Sequence, residues 1–169
     1  MSSTAAKSPG VYVADCELGR GLFAARDFAA GEKILLLNGR TISFTESVAM
    51  CEKQSNPVQI AAADYVDIEP PGVFTNHSCE PNAGIANSLE LVALRQIKAG
   101  DEIRFDYSTT MDEDHWTMAC MCKAKNCRGV VRDFRLLPAE TQQRYLQLGV
   151  VQEFIVRKMN HTPLCRQAR

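Results

Sequence analysis

The stretch F-T-N-H-S-C-E-P-N, residues 74–82, places two amides, an imidazole, two hydroxyls and a thiol within a few positions. Pro81 is incompatible with a helix interior, and it disfavours the α conformation at the residue before it. The serine and asparagine side chains here favour local hydrogen bonds to the backbone. Taken alone, this composition is typical of a polar surface loop.

Two later stretches indicate that this segment is more than a surface loop. They read E-I-R-F-D-Y at residues 102–107 and C-M-C-K-A-K-N-C at residues 120–127. In order and spacing, the three stretches resemble the SET-domain family of S-adenosylmethionine-dependent lysine methyltransferases, with its N-H-S-C motif, its F-D-Y motif and its zinc-binding post-SET segment. The resemblance runs from about residue 11 to residue 132.

Length and composition set broad limits. The chain has 169 residues, 46% of them hydrophobic and 23% charged, with a net charge of −1 and seven cysteines. We therefore expect one globular domain that does not bind nucleic acid through a basic surface. No apolar run is long enough to span a membrane, and no signal core opens the chain. These features predict an intracellular protein, cytoplasmic or nuclear, with a metal site and free thiols rather than disulfides.

Hydrophobic periodicity and turn residues predict a mostly β body. Short strands at intervals of about 8 to 12 residues, separated by turn signals, are typical of an all-β domain. The Asn38-Gly39 pair predicts a hairpin turn, and residues 32–37 read as a strand buried on both faces. A helix is expected at 45–54, with Thr45 or Ser43 as its cap. Strand candidates are residues 11–14, 21–25, 32–37, 41–44, two within 58–68, 84–87, 89–97 and 102–107.

The C-terminal part has helical periodicity. Pro138 suits a helix start and Gly149 suits the position after a helix end, and a second helix is expected at 150–159. These helices would cap the β body or form a dimer face, which leaves a homodimer open.

The resemblance implies a β-clip-like SET fold of small curved sheets with a threaded loop, short helices and a helical C-terminal tail. It divides the chain into a SET domain at 11–110, a post-SET zinc segment at 111–132 and a helical extension at 133–169. Residues 1–10 would form a disordered arm.

A metal-ligand spacing, Cys-x-Cys-x4-Cys, occurs at Cys120, Cys122 and Cys127. Tetrahedral zinc needs a fourth ligand, which must come from elsewhere in the chain. Clustering by chance or a disulfide pair is the alternative. The resemblance implies that Cys79 completes the set, so that zinc pins the C-terminal segment onto the central loop. The other cysteines are interpreted as core or surface thiols: Cys16, Cys51 and Cys165.

Cofactor contacts are implied at two places. The turn Gly19-Arg20-Gly21 lets backbone amides approach a ligand, but by itself it indicates only a hairpin. The resemblance implies that it receives the methionyl part of S-adenosylmethionine. It also implies that the Asn76 side chain binds the amino-acid end of the cofactor and that the His77 backbone binds the adenine.

Three aromatic residues are candidates for the chemistry. Tyr107 ends a strand, where a tyrosine is usually half-buried core. The resemblance implies instead that its hydroxyl lies beside the methyl group being transferred. Tyr65 resembles a second pocket tyrosine. Phe105 occupies a position where the family has tyrosine or phenylalanine, and its lack of a hydroxyl predicts di- or trimethylated products.

We therefore expect N-methylation of a lysine side chain in a protein, with a histone tail as one candidate substrate and no sequence-specific nucleic-acid or membrane partner. Two departures from the family pattern bear on the substrate groove. Val73 stands where an arginine is common, and the helix at 45–54 is short. Two other functions fit the sequence: the same chemistry on a small-molecule amine, and a non-catalytic, zinc-stapled interaction module.

Overall fold

The computed structural model of the protein describes residues 10–53, 55–86 and 89–161. The fold is a set of small β-sheets. Residues 1–9 of the predicted arm, and Cys165, lie outside this range. The described strands are β1 Val11–Cys16, β2 Gly19–Ala24, β3 Lys33–Leu36, β4 Gly39–Ser43, β5 Pro57–Gln59, β6 Asp64–Ile68, β7 Asn76–His77, β8 Ala83–Ala86, β9 Glu90–Ala93, β10 Glu102–Phe105, β11 Met118–Ala119 and β12 Val130–Val131. The helices are α1 Phe44–Ala49, α2 Ala139–Gln147 and α3 Glu153–His161.

The strands form three sheets and one two-stranded ribbon. The largest sheet has the order β1-β2-β10-β7, and β7 runs parallel to β10. The other two sheets have the orders β3-β9-β8 and β4-β6-β5, and β11 pairs with β12. The prediction of a mostly β fold with a helical C-terminus is thus confirmed. The threading of the central loop stays a prediction.

The main core lies between these sheets. In β10 the alternation of side chains buries Ile103 and Phe105, and the same period buries Leu91 and Ala93 in β9. Burying a large aliphatic or aromatic side chain contributes about 1.5–3 kcal/mol. The main core therefore holds β10 rigidly, and the F-D-Y motif follows directly from that strand.

The predicted hairpin at Asn38-Gly39 is wrong. β3 pairs with β9 and β4 pairs with β6, so the two strands flanking this turn belong to different sheets. A Cβ on Gly39 would lie 2.0 Å from the Asp67 carbonyl oxygen. Gly39 is therefore needed for the close approach of β4 to β6, which the local pattern does not reveal. Leu36 is 44% exposed, so β3 is not buried on both faces either.

Helix α1 is shorter than predicted. Ser43 caps it, with its hydroxyl accepting from the Glu46 amide while the Glu46 side chain accepts from the Ser43 amide. This capping box confirms Ser43 as the cap, and the helix begins one residue before the predicted start at Thr45. The helix ends at Ala49, and Cys51 has a φ of +52°, outside the α-helical region. A short 3₁₀ turn, Cys51–Lys53, continues the chain.

Helices α2 and α3 pack onto the body through a second core. Tyr145, Val150 and Ile155 are fully buried in it, and the Val150 side chain packs on Gly84 of β8. Gly149 has a φ of +66°, as expected after a helix end. The predicted cap on the β body is confirmed, whereas the homodimer and the division of the chain into segments stay predictions. No helix in the described part of the chain is long and apolar enough to cross a membrane.

Candidate active site

The N-H-S-C segment is attached to β10 by hydrogen bonds on both sides of the proline. The Ser78 amide donates to the Phe105 carbonyl at 3.0 Å. The Asn82 side chain donates to the Glu102 carbonyl at 2.8 Å and accepts from the Arg104 amide at 2.9 Å. Asn82 thus replaces a strand partner, and the segment is an ordered part of the largest sheet rather than a free surface loop.

A cavity of about 280 Å³ opens beside this segment. Asn76, His77 and Tyr107 form its polar wall. The rest of its lining is mostly apolar and comes from the β1–β2 turn and the cysteine-rich segment; it includes Leu18, Met118 and Met121. This combination of polar and apolar walls suits a ligand with both polar and apolar parts.

The Gly19-Arg20-Gly21 turn reaches this cavity through Asn76. The Asn76 amide donates to the Arg20 carbonyl at 3.1 Å and to the Glu102 carboxylate at 2.9 Å. Gly19 has a φ of +102° with open space beside it, whereas a Cβ on Gly21 would lie 2.7 Å from the Glu102 carboxylate. Gly19 is therefore favoured by its backbone conformation, whereas a side chain at Gly21 would displace the Glu102 carboxylate.

A second, narrow channel of about 30 Å³ also reaches Tyr107. Its walls include both predicted pocket tyrosines and a set of side chains that follows the F-D-Y motif. The lining includes Tyr65, Phe105, Tyr107, Glu113 and Trp116. Tyr107 lines both the channel and the larger cavity, as does Ser55.

Tyr107 is held on three sides. Its hydroxyl donates to the Thr75 carbonyl at 3.0 Å, and its amide donates to His77 Nδ1 at 3.2 Å. The Phe105 ring lies 4.7 Å from the Tyr107 ring. Burial, with the nearby negative charge of Glu102, raises the pKa of Tyr107 above that of a free phenol. Tyr107 is thus a neutral, fixed hydroxyl.

Tyr65 lies on β6 and is only 4% exposed. Its hydroxyl donates to the Glu113 carboxylate. Burial raises the pKa of Tyr65, and the hydrogen bond and negative charge of Glu113 raise it further. The sequence did not single out Glu113, which stands in the acidic run D-E-D at residues 112–114 with nothing to mark one member.

The predicted metal ligands lie together. The Cys79 and Cys120 sulfurs are 3.7 Å apart. The ligand atoms of His77, Cys79, Cys120 and Cys122 all lie within 4.8 Å of one another. The Cys127 thiol contacts those of Cys120 and Cys122. Three of the four predicted cysteines therefore form one compact group with an imidazole that the sequence analysis did not include, and Cys127 borders this group through Cys120 and Cys122.

His77 connects this cluster to the F-D-Y motif. Its Nδ1 accepts from the Tyr107 amide, and its Nε2 lies 3.4 Å from the Cys79 sulfur. Burial lowers the pKa of His77 to about 4, and the nearby Arg128 and Arg104 add to this effect against the pull of Asp106. The imidazole is therefore neutral near pH 7, and its proton sits on Nε2, facing the sulfur.

A family model for the SET domain matches residues 19–108 of this chain. The chain belongs to the SET domain family. This SET domain chain is 27% identical over 144 residues to histone-lysine N-methyltransferase 2B of Homo sapiens, covering 76% of the chain and 5% of that protein. It is 30% identical over 128 residues to an H3 lysine-36 specific histone-lysine N-methyltransferase of Yarrowia lipolytica, covering 66% of the chain and 16% of that protein.

A third relative, histone-lysine N-methyltransferase trr of Drosophila melanogaster, is 31% identical over 137 residues, covering 70% of the chain and 6% of that protein. The SET domain chain thus spans between 5% and 16% of the length of these three relatives.

The SET domain's Asp106 has buried partners that the sequence analysis missed. The carboxylate is 1% exposed. It accepts from the Arg128 guanidinium at 2.8 Å, from the Ser108 amide at 3.1 Å and from the Tyr145 hydroxyl at 2.9 Å. Tyr145 belongs to α2, so the C-terminal extension reaches the F-D-Y motif directly. No local pattern around Tyr145 indicates this contact.

Proposed function

We propose that this SET domain transfers a methyl group from S-adenosylmethionine to the side-chain nitrogen of a lysine in a protein. One observation carries the proposal. Tyr107 is shared by a cavity of about 280 Å³ and a narrow channel of about 30 Å³. Two reactants bound in these two spaces would lie against the same tyrosine, whose hydroxyl is fixed and neutral. The family match and the names of the relatives support this chemistry.

S-adenosylmethionine, when bound, supplies an electrophilic methyl group, so that a carbon–nitrogen bond forms from the amine lone pair while the carbon–sulfur bond breaks and its electrons remain on sulfur. The lysine nitrogen must first lose its proton, which passes to solvent. The contribution of the chain is alignment and the exclusion of water. In this proposal Tyr107 and Tyr65 are catalytic residues whose oxygens orient the amine, and Phe105 shapes the end of the channel.

The cofactor would occupy the larger cavity. Asn76 lies on its wall with its amide between Arg20 and Glu102, and Gly19 leaves open space where a side chain would stand. These features support a cradle in which Asn76, His77 and the Gly19-Arg20-Gly21 turn bind S-adenosylmethionine.

We also propose one zinc ion in the thiol cluster. Because His77 Nδ1 accepts a hydrogen bond, its Nε2 carries the proton and cannot bind a metal, so it donates to Cys79 instead. Cys127 rather than His77 is therefore the remaining ligand in this proposal. Four thiolates suit tetrahedral zinc. In this proposal the zinc ligands are Cys79, Cys120, Cys122 and Cys127, and the metal is a structural link.

We propose a lysine-bearing peptide as the substrate, with a histone tail as the first candidate, because three relatives carry histone-lysine methyltransferase names. The narrow channel favours an unbranched side chain, which would enter it while the rest of the peptide stays outside. A histone substrate would require the protein to reach the nucleus.

The decisive experiment follows radiolabelled methyl from S-adenosylmethionine onto histones, peptide libraries and small amines, with cofactor binding measured by calorimetry. We expect label on a lysine of a protein or peptide. Label on small amines alone would overturn the protein substrate. Cofactor binding without any transfer, or no cofactor binding, would overturn the enzymatic proposal and favour a non-catalytic module.

A further inference from the structure

We infer that Glu113 is a positioning residue of the channel, which fixes the direction of the Tyr65 hydroxyl and holds Trp116 in the channel wall. The inference rests on the proposed function for its catalytic meaning. Its structural basis is separate, because one Glu113 oxygen accepts from the Tyr65 hydroxyl and the other accepts from the Trp116 amide at 3.2 Å.

The loop that carries Glu113 is anchored from behind. The Glu113 amide donates to Asp133 at 3.2 Å, and the Asp114 amide donates to the other Asp133 oxygen at 2.9 Å. Asp133 is buried and is also paired with Arg135. The backbone of Glu113 therefore has a fixed place from which its side chain reaches β6.

Glu113 differs from its two acidic neighbours. Asp112 pairs with Arg135 and Lys158, and Asp114 pairs with Arg135. Among the residues that the structure describes, no ion pair involves Glu113, and its carboxylate lines the channel. Its two carboxylate oxygens therefore bind two donors from channel-lining residues rather than a cation of the fold.

A carboxylate only accepts hydrogen bonds, so the Tyr65 hydroxyl must donate its proton to Glu113 and cannot donate it elsewhere. The Tyr107 hydroxyl likewise donates its proton in a hydrogen bond to the Thr75 carbonyl. Both hydroxyls then present lone pairs to the channel. A neutral amine can donate its N–H groups to them and keep its own lone pair free for the methyl group. Without Glu113, the Tyr65 hydroxyl is free to donate to that lone pair and block it.

A double-mutant cycle tests this link, using Glu113→Gln, Tyr65→Phe and the double variant. Glutamine keeps the shape but offers one acceptor oxygen where two donors now bind. We expect Glu113→Gln to lower kcat by about tenfold to a hundredfold, the worth of a hydrogen bond to a charged group. Cofactor affinity should not change, and in the Tyr65→Phe background the substitution should add less than about twofold.

Asp114→Asn is the matched control, since it removes the same negative charge from the neighbouring residue, whose side chain is exposed. It should leave kcat near wild type. Effects of Glu113→Gln and Tyr65→Phe that multiply independently, or a Glu113→Gln effect no larger than that of Asp114→Asn, would overturn the inference.

A second measurement needs no activity. Trp116 is the only tryptophan of the chain. Acrylamide quenching of its fluorescence should increase in Glu113→Gln and stay at the wild-type level in Asp114→Asn. Unchanged quenching in Glu113→Gln would overturn the inference even in a protein that transfers no methyl group, so failure of the proposed function is distinguishable from failure of this one.

Discussion

Tyr107 donates a hydrogen bond from its hydroxyl to a backbone carbonyl, and it lines both the cavity and the channel. We expect Tyr107→Phe to lower turnover by orders of magnitude while cofactor affinity stays within about twofold, because the lost interaction is realised mainly in the transition state. The free energy of unfolding should fall by only about 1 kcal/mol, the worth of one hydrogen bond. Turnover, calorimetry and urea unfolding give the three values.

The matched control is Tyr12→Phe, which removes a hydroxyl from a tyrosine that is 44% exposed on β1. A Tyr107→Phe variant with near wild-type turnover would remove the catalytic role and leave Tyr107 as part of the core.

Phe105 packs on the Tyr107 ring at 4.7 Å and lines the channel. It has no hydroxyl to hold a water molecule in the space that a second or third methyl group needs. We expect wild-type protein to reach di- or trimethyllysine and Phe105→Tyr to shift the products toward monomethyllysine, as measured by mass spectrometry. Phe23→Tyr, on β2, is the control. Only monomethyllysine from wild type after long incubation would contradict this account.

At the scale of elements, α2 supports the F-D-Y motif through the buried hydrogen bond from Tyr145 to Asp106. We expect Tyr145→Phe to lower the free energy of unfolding by about 1–3 kcal/mol, because it leaves a buried carboxylate oxygen with one donor fewer. Urea unfolding measures this, again with Tyr12→Phe as the control. Equal stability of the two variants would mean that α2 only covers the body.

The contrast between predicted and observed elements has a physical reason. Short apolar runs bounded by turn residues predicted β5, β6, β8, β9 and β10, because these signals are local. The Asn38-Gly39 turn failed because the partners of β3 and β4 are chosen by tertiary pairing. In the site, motif spacing predicted the cysteines and Tyr107. Glu113 and Tyr145 act across 48 and 39 residues of sequence, and only the fold brings those contacts together.

For the whole molecule, the thiol cluster ties the segment around β11 and β12 to the central loop. We expect about one zinc per chain, held by four thiolates. Removing it with a chelator should loosen residues 118–131 and weaken cofactor binding, because metal binding energy here is partly folding energy. Elemental analysis, hydrogen exchange and calorimetry measure these effects.

Cys120→Ser should reproduce the loss of zinc, whereas Cys51→Ser, at an exposed thiol outside the cluster, should not. Protein without zinc, or disulfides among the four cysteines, would contradict the metal site.

The hydrogen bond from Tyr145 to Asp106 can form only late in the synthesis of the chain on the ribosome. A nascent chain emerges from its N-terminus, so the F-D-Y motif is exposed well before α2 has been made. Until then the Asp106 carboxylate lacks one of its buried donors, and the second core that seats Tyr145 does not exist. A chain interrupted between residues 132 and 145 would carry every motif by which the family is recognised, yet it would stop one helix short of a finished site.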